Sequence, residues 1–363
     1  MINVNEKKLP AIGMIGSHSA EEIGVAAKSH GFRTVVVCQK GRERLYSHYN
    51  KHLFDEIIIL DSFKDIIRDD VQKKLESINT IWIPNRSFSV YVGYDEIETE
   101  FRIPIYGNRN ILRVEERGYP KDQMWLLEKS GVRIPKPFTP DSIDRLVIVK
   151  VQQKNKPLER AFFYANSPSD YDRVSKSLLK EGIISETGLE NAIIEEFVVA
   201  PRFNANFQSY GMNDIFGELD LVGFDDRIQT NLSGLVDLPA EIQLKIETTV
   251  VNEEVGHKGI TMRESKKPLV YETAELLLEG VKKHFPPKMI GLFSLQGAIT
   301  EYSEFIVFDL SPRVPGAPCV GPTSPEMRRL SIKFKTNIQS PLDLCMLDIK
   351  EAVSKKRLHE VTT

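Results

Sequence analysis

Along the first hundred residues, solid apolar runs alternate with stretches in which apolar residues recur every three or four positions. Ala11–Ile15, Thr34–Cys38, Glu56–Leu60 and Thr80–Pro84 are short apolar runs and predict buried strands. Between them, Ser19 and Glu22 have the spacing of a capping box, which predicts a helix from about Ala20. Gly31 would stop it, with His30 in the last turn, where a cation suits the helix dipole. Val71–Ile78 has helical spacing. Strands interleaved with helices predict a parallel sheet with helices on both faces. Ligands of such sheets sit beyond the carboxyl ends of the strands, where the loops Ser17–Ser19 and Asn85–Ser87 would lie.

The pattern changes near residue 120. A helix is predicted over Asp122–Ser130, then Gly131, Pro135 and Pro137 interrupt it. Strands are predicted at Leu146–Val151 and Ala192–Val199, with a helix over Ser169–Glu181 between them. Arg202–Tyr210 and Gly217–Phe224 alternate polar and apolar residues around the turn cluster Gly211-Met212-Asn213-Asp214, which predicts a hairpin. Tyr271–His284 is an amphipathic helix ended by Pro286-Pro287, and two strands follow, Ile290–Ile299 and Phe305–Leu310. These shifts divide the chain into residues 1–120, 121–200 and 201–363.

Composition narrows the class. Of 363 residues 41% are hydrophobic and 27% charged, and 48 Lys and Arg against 51 Asp and Glu leave a net charge of −3, so no basic footprint for nucleic acid exists. No apolar run approaches the length of a membrane span, and Met1–Lys8 lacks the apolar core of a signal peptide. Cys38, Cys319 and Cys345 are too widely spaced for a zinc knuckle or a disulfide framework and read as reduced thiols of a cytoplasmic protein.

Several residues carry candidate chemistry. If the last hairpin turns at Tyr302-Ser303, Gln296 faces Asp309, and an amide oxygen beside a carboxylate suits a hard cation; a hydrogen-bonded polar pair on a sheet face is the alternative. Arg313, four residues on, is a candidate phosphate contact. Lys150 closes an apolar strand, where it reaches a phosphate or simply surfaces. Glu195 and Glu196 are adjacent on a strand and point to opposite faces, so one of them is available to a ligand. His18 stands before a helix N-terminus, a ready anion site, and Ser87 lies in the second loop at the same edge. Lys40, Arg42 and Arg44 form a small basic cluster that reads as a solvated face.

Six segments occur in an order and spacing that resemble one family. They are Gly16-Ser17-His18-Ser19, Tyr106-Gly107-Asn108-Arg109-Asn110-Ile111-Leu112-Arg113, Val147-Ile148-Val149-Lys150, Ile194-Glu195-Glu196-Phe197, Met262-Arg263-Glu264-Ser265 and Phe308-Asp309-Leu310-Ser311-Pro312-Arg313-Val314. The resemblance is to the archaeal formate-dependent FAICAR synthetases (5-formaminoimidazole-4-carboxamide ribonucleotide synthetases), ATP-grasp ligases of purine biosynthesis. It runs from about residue 10 to residue 350. It implies an N-terminal Rossmann-like α/β domain followed by an α+β ATP-grasp fold, ATP as co-substrate and Mg²⁺ or Mn²⁺ as metal. The implied reaction has ATP phosphorylate formate and the amine of AICAR attack the formyl phosphate. His18, Ser87 and His257 match nucleotide-substrate positions; Lys150, Glu195, Glu196 and Gln229 match ATP positions; Gln296 and Asp309 match metal ligands. Lys150 and Arg313 would neutralise charge during phosphoryl transfer. A symmetric homo-oligomer is implied as well.

The sequence departs from that pattern in places. Val151–Phe162, where the family has a glycine-rich lid, contains no glycine; Lys154, Lys156 and Arg160 are its cations. Gln229 stands in place of a glutamate, His257 of an asparagine, Asn85-Arg86 of a histidine-glycine pair, and Asp309 of a glutamate. Two further readings therefore accompany the first: an ATP-grasp ligase for another carboxylate and amine, and a non-catalytic nucleotide-binding protein.

Overall fold

A computed structural model describes residues 9–152, 160–246, 254–316 and 320–363. By internal packing the chain forms two units. The first comprises residues 1–132, 202–297 and 309–363, and the second residues 133–201 and 298–308.

The first unit opens with β1 (Ala11–Ile15), β2 (Arg33–Gln39), β3 (Glu56–Leu60) and β4 (Thr80–Trp82), which form a parallel sheet in the order β3-β2-β1-β4. Its strands are apolar on both faces because both are covered. On one face Ile15, Val35, Val37, Trp82 and Phe88 pack with Phe101 and Leu112. On the other, Ile12, Met14, Val36 and Ile81 pack with the helix Ala20–Ser29 and with Leu342, Met346, Ile349 and Val353 from the helix Pro341–Lys355.

The expected capping box is absent. Ser19 has φ 63°, a left-handed conformation, and its hydroxyl donates to Pro315 O at 3.1 Å instead of capping the helix. Asn85–Ser87 is not a loop either. Asn85 caps the helix Arg86–Val92, accepting from Phe88 N at 3.0 Å, so Ser87 sits in its first turn.

The motif Tyr106–Arg113 is a scaffold. Arg109 donates to the carbonyls of Ile97, Phe101, Ile103 and Thr363, and Asn108 Nδ2 to those of Phe285 and Lys288. Tyr106 Oη donates to Asp348 Oδ2 at 3.0 Å, and that buried carboxylate also accepts from Gly211 N and Met212 N.

The second unit holds β5 (Val147–Gln152), β6 (Arg160–Ala165) and β7 (Ile193–Glu196), antiparallel in the order β6-β5-β7. Val147, Val149, Phe163 and Ile194 form its core with Tyr171 of the helix Pro168–Lys180. The altered lid lies largely outside the described residues, Lys154 and Lys156 included.

A five-stranded sheet comprises β8 (Arg202–Ser209), β9 (Leu219–Gln229), β10 (Glu254–Ile260), β11 (Gly291–Ile299) and β12 (Phe305–Ser311), in the order β10-β9-β8-β11-β12. The predicted β8–β9 hairpin is present, with a register shift between Asn206 and Phe207. The β11–β12 turn differs from expectation. Thr300 N donates to Glu304 O and Ser303 N to Thr300 O, each at 3.0 Å, and Ser303 has φ 63°. A left-handed residue adds one position to the turn, so it centres on Tyr302 and sets Thr300 against Glu304. Gln296 and Asp309 lie on these neighbouring strands, β11 and β12.

Candidate functional site

Within the first unit the end of β1 meets the start of the helix Arg86–Val92. The buried Asn85 amide donates to Ser17 O and His18 O, each at 2.8 Å, and so fixes the loop that carries His18. His18 has φ 36°, and its ring lies against Gly316 with that of His257. A Cβ on Gly316 would collide with His18 Cε1 and stand 3.2 Å from His257 Nε2. The close approach needs glycine.

The two imidazoles differ in charge. Burial, then the cations Arg313, His257 and Arg86, push His18 down to about 4 against an upward pull from Glu254. Burial also disfavours charge on His257, but Asp225 and Glu254 outweigh it and raise this imidazole to about 9. His257 Nδ1 lies 2.5 Å from Asp225 Oδ2 and Nε2 lies 2.7 Å from Glu254 Oε1. At neutral pH the cluster therefore pairs a neutral histidine with an imidazolium.

Asp225 is fully buried on β9 and collects further donors from β8. Asn204 Nδ2 donates to its Oδ2 at 2.7 Å and Asn206 Nδ2 to its Oδ1 at 2.6 Å. Gln296 Nε2 on β11 donates in turn to Asn204 Oδ1 at 2.9 Å. One hydrogen-bonded chain thus runs from Gln296 through Asn204 and Asp225 to His257 and Glu254.

Gln296 and Asp309 carry the oxygen donors that a hard cation takes. The Gln296 nitrogen is committed to Asn204, which leaves Oε1 as the outward atom. The Asp309 carboxylate is half-buried and has no hydrogen bond or ion pair among the described residues. Among those residues no group of three or more His, Cys, Asp or Glu could hold a metal unaided. A two-ligand site completed by phosphate and water matches Mg²⁺ chemistry.

Arg313 is arranged otherwise than expected. It makes a two-fold contact with Glu115, Nε to Oε2 at 3.1 Å and Nη2 to Oε1 at 2.5 Å, and Nη1 donates to Val314 O. Both side chains are under a tenth exposed. These partners all lie within the fold. Ser87 is buried in the first turn of its helix, and Gln229 ends β9 with its N–H on Ser233 Oγ at 2.9 Å.

The second unit holds the other candidates. Lys150 and Glu195 lie on one face of the β5–β7 pair and form an ion pair. Glu196 points the other way, towards Arg133, Arg145 and the Lys136 N–H. The opposite facing of the two glutamates is as predicted.

Sequence reasoning missed Asp225, Glu254, Asn204, Glu115 and Gly316. A signal existed for part of this: Asn204, Asn206 and Gln208 recur at period two on an otherwise apolar strand, marking one polar face.

Comparison with known proteins assigns the chain. Two family models match, a domain of unknown function, DUF1297, over residues 170–363 and a protein of unknown function, DUF1246, over residues 12–138. The 5-formaminoimidazole-4-carboxamide-1-(beta)-D-ribofuranosyl 5'-monophosphate synthetase of Methanothermobacter thermautotrophicus is 38% identical over 84% of this chain and 82% of its own. The chain belongs to this synthetase family. Among solved structures, the IMP biosynthesis protein PurP of Thermococcus kodakaraensis superposes with a TM-score of 0.71 at 21% identity, covering 97% of this chain and all of that one. An N5-carboxyaminoimidazole ribonucleotide synthetase solved as its ADP complex gives 0.57 at 15% identity, over 86% of this chain and 72% of that one. The FAICAR synthetase fold of this chain is accordingly an N-terminal parallel-sheet domain followed by an ATP-grasp fold. No helix among the described residues is long and apolar enough to cross a membrane.

Proposed function

We propose that this chain is an ATP- and formate-dependent carbon–nitrogen ligase that formylates the amine of AICAR to give FAICAR, with release of ADP and phosphate. The observation that carries the reading is the neutral His18 and cationic His257 meeting over Gly316, in a chain 38% identical to a named FAICAR synthetase. An imidazolium, with the buried charges of Arg313 and Arg86 behind it, suits an anionic nucleotide. A neutral imidazole beside it accepts a hydrogen bond from an amine. Ser87 joins them at the same strand ends.

Gln296 and Asp309 would hold the cation, Mg²⁺ or Mn²⁺, which when bound neutralises charge on the transferred phosphoryl group. Lys150, with Glu195 and Glu196, would serve ATP, as would Gln229. A symmetric homo-oligomer in the cytoplasm belongs to the same reading.

One observation favours a second reading, a ligase for another amine and carboxylate: His257, locked by two carboxylates, stands where the family has an asparagine. Formate-dependent ADP release in the presence of AICAR decides between them. Release with AICAR establishes the first. A thermal shift with ATP–Mg²⁺ but none with AICAR favours the second.

A further inference from the structure

We infer that Asp225 is the positioning residue that decides which atom Gln296 offers to the cation. The inference rests on the metal reading of Gln296 and Asp309 proposed above.

The argument is one of hydrogen-bond polarity. An amide side chain has two ends, and only its oxygen can ligate a cation. A carboxylate that gathers two amide N–H₂ groups and an imidazolium N–H acts as acceptor towards all three. Asn204 must therefore turn its nitrogen to Asp225 Oδ2, at 2.7 Å. That leaves Asn204 Oδ1 facing Gln296, which must answer with its own nitrogen, at 2.9 Å. Gln296 Oε1 then has one way left to point, away from the relay. A buried acceptor two bonds away thus settles the ligand atom.

A second amide carries the same imprint. Asn206 turns its nitrogen to Asp225 Oδ1 at 2.6 Å, and its Oδ1, in a residue 1% exposed, is left without a hydrogen-bond partner among the described residues. An orphaned buried acceptor costs stability, and here it follows directly from the polarity that Asp225 imposes. Asp225 is fully buried and is joined to Gln296 only through Asn204, so it would act through Gln296.

The test is a titration with Mn²⁺ in the presence of ADP, followed by electron paramagnetic resonance, on the wild type, D225N, Q296E and D225N/Q296E, with melting temperatures as the folding control. A carboxylate is by itself a better hard-cation ligand than an amide. With Asp225 in place, however, the carboxylate introduced by Q296E would face Asn204 Oδ1, acceptor against acceptor, so Q296E should weaken Mn²⁺ binding about tenfold or more. The amide introduced by D225N can donate, which lets Asn204 reverse and give its nitrogen to the carboxylate at position 296. D225N should then tighten Mn²⁺ binding about tenfold in the Q296E background, although it removes a negative charge. Should D225N fail to fold, N204A cuts the same relay in the middle and should likewise abolish the Q296E penalty. A tighter Q296E single variant, or a D225N effect equal in both backgrounds, overturns the role of Asp225. Separately, D309A should lower Mn²⁺ affinity; no change there overturns the metal reading itself, and the inference with it.

Discussion

The rings of His18 and His257 both crowd the place that a side chain on Gly316 would fill, one held neutral and the other charged. Gly316→Ala should push the His18 ring out of line. The expected outcome is AICAR affinity reduced about tenfold by calorimetry, with the melting temperature changed by only about 2–4 °C, because the displaced groups are side chains.

The two histidines should give stability opposite slopes with pH. In the unfolded chain both titrate near 6.5. Folded His18 refuses its proton down to about 4, so stability falls as pH drops from 6.5 towards 4. Folded His257 keeps its proton up to about 9, so its contribution is complete below 6.5 and is lost as pH rises through 9. Each slope spans on the order of 3 kcal/mol. Urea unfolding from acid to alkaline pH should show the alkaline limb flattened in His257→Gln and the acid limb in His18→Gln.

Asp309→Ala should abolish turnover and leave the fold alone. A half-buried carboxylate without an ion pair among the described residues contributes little to stability, and the variant should melt within about 2 °C of the wild type. Formate- and AICAR-dependent ADP release should fall by about 100-fold or more. Unfolding instead would make Asp309 a structural residue.

Arg313→Ala should act through stability first. It would leave Glu115 buried beside Arg86 without its two-fold partner, at a cost of about 3–5 kcal/mol in chemical denaturation. The double variant Arg313→Ala with Glu115→Ala should recover part of that loss. A free phosphate clamp would show neither the loss nor the recovery.

The strands of the N-terminal sheet were legible because β1 to β4 are covered on both faces and so are apolar almost throughout. β8 and β9 were legible because they alternate around a cluster of turn residues. What escaped depends on partners far along the chain. Ser19 has the composition of a cap, yet its hydroxyl is claimed by Pro315. β10 contains Gly256, His257 and Gly259 and shows no alternation; its polar side chains meet Asp225, Asp226 and Arg227 of the neighbouring strand. The centre of the β11–β12 turn depends on Ser303 adopting a left-handed backbone, which composition does not announce. Arg313 read as a phosphate contact from its place in a motif, and nothing local shows that Glu115 takes up its guanidinium.

The two faces of the parallel sheet are finished at very different times. One is closed by residues no later than Leu112, whereas the other is completed by Met327 through Val361. During synthesis at the ribosome, Ile12, Met14 and Val36 emerge early and stay only partly covered, by the helix Ala20–Ser29 and its neighbours, until residues 327–361 follow. An apolar strip waiting that long is a target for chaperones, and a chain stalled before the helix Pro341–Lys355 would present it to aggregation while its opposite side is already native.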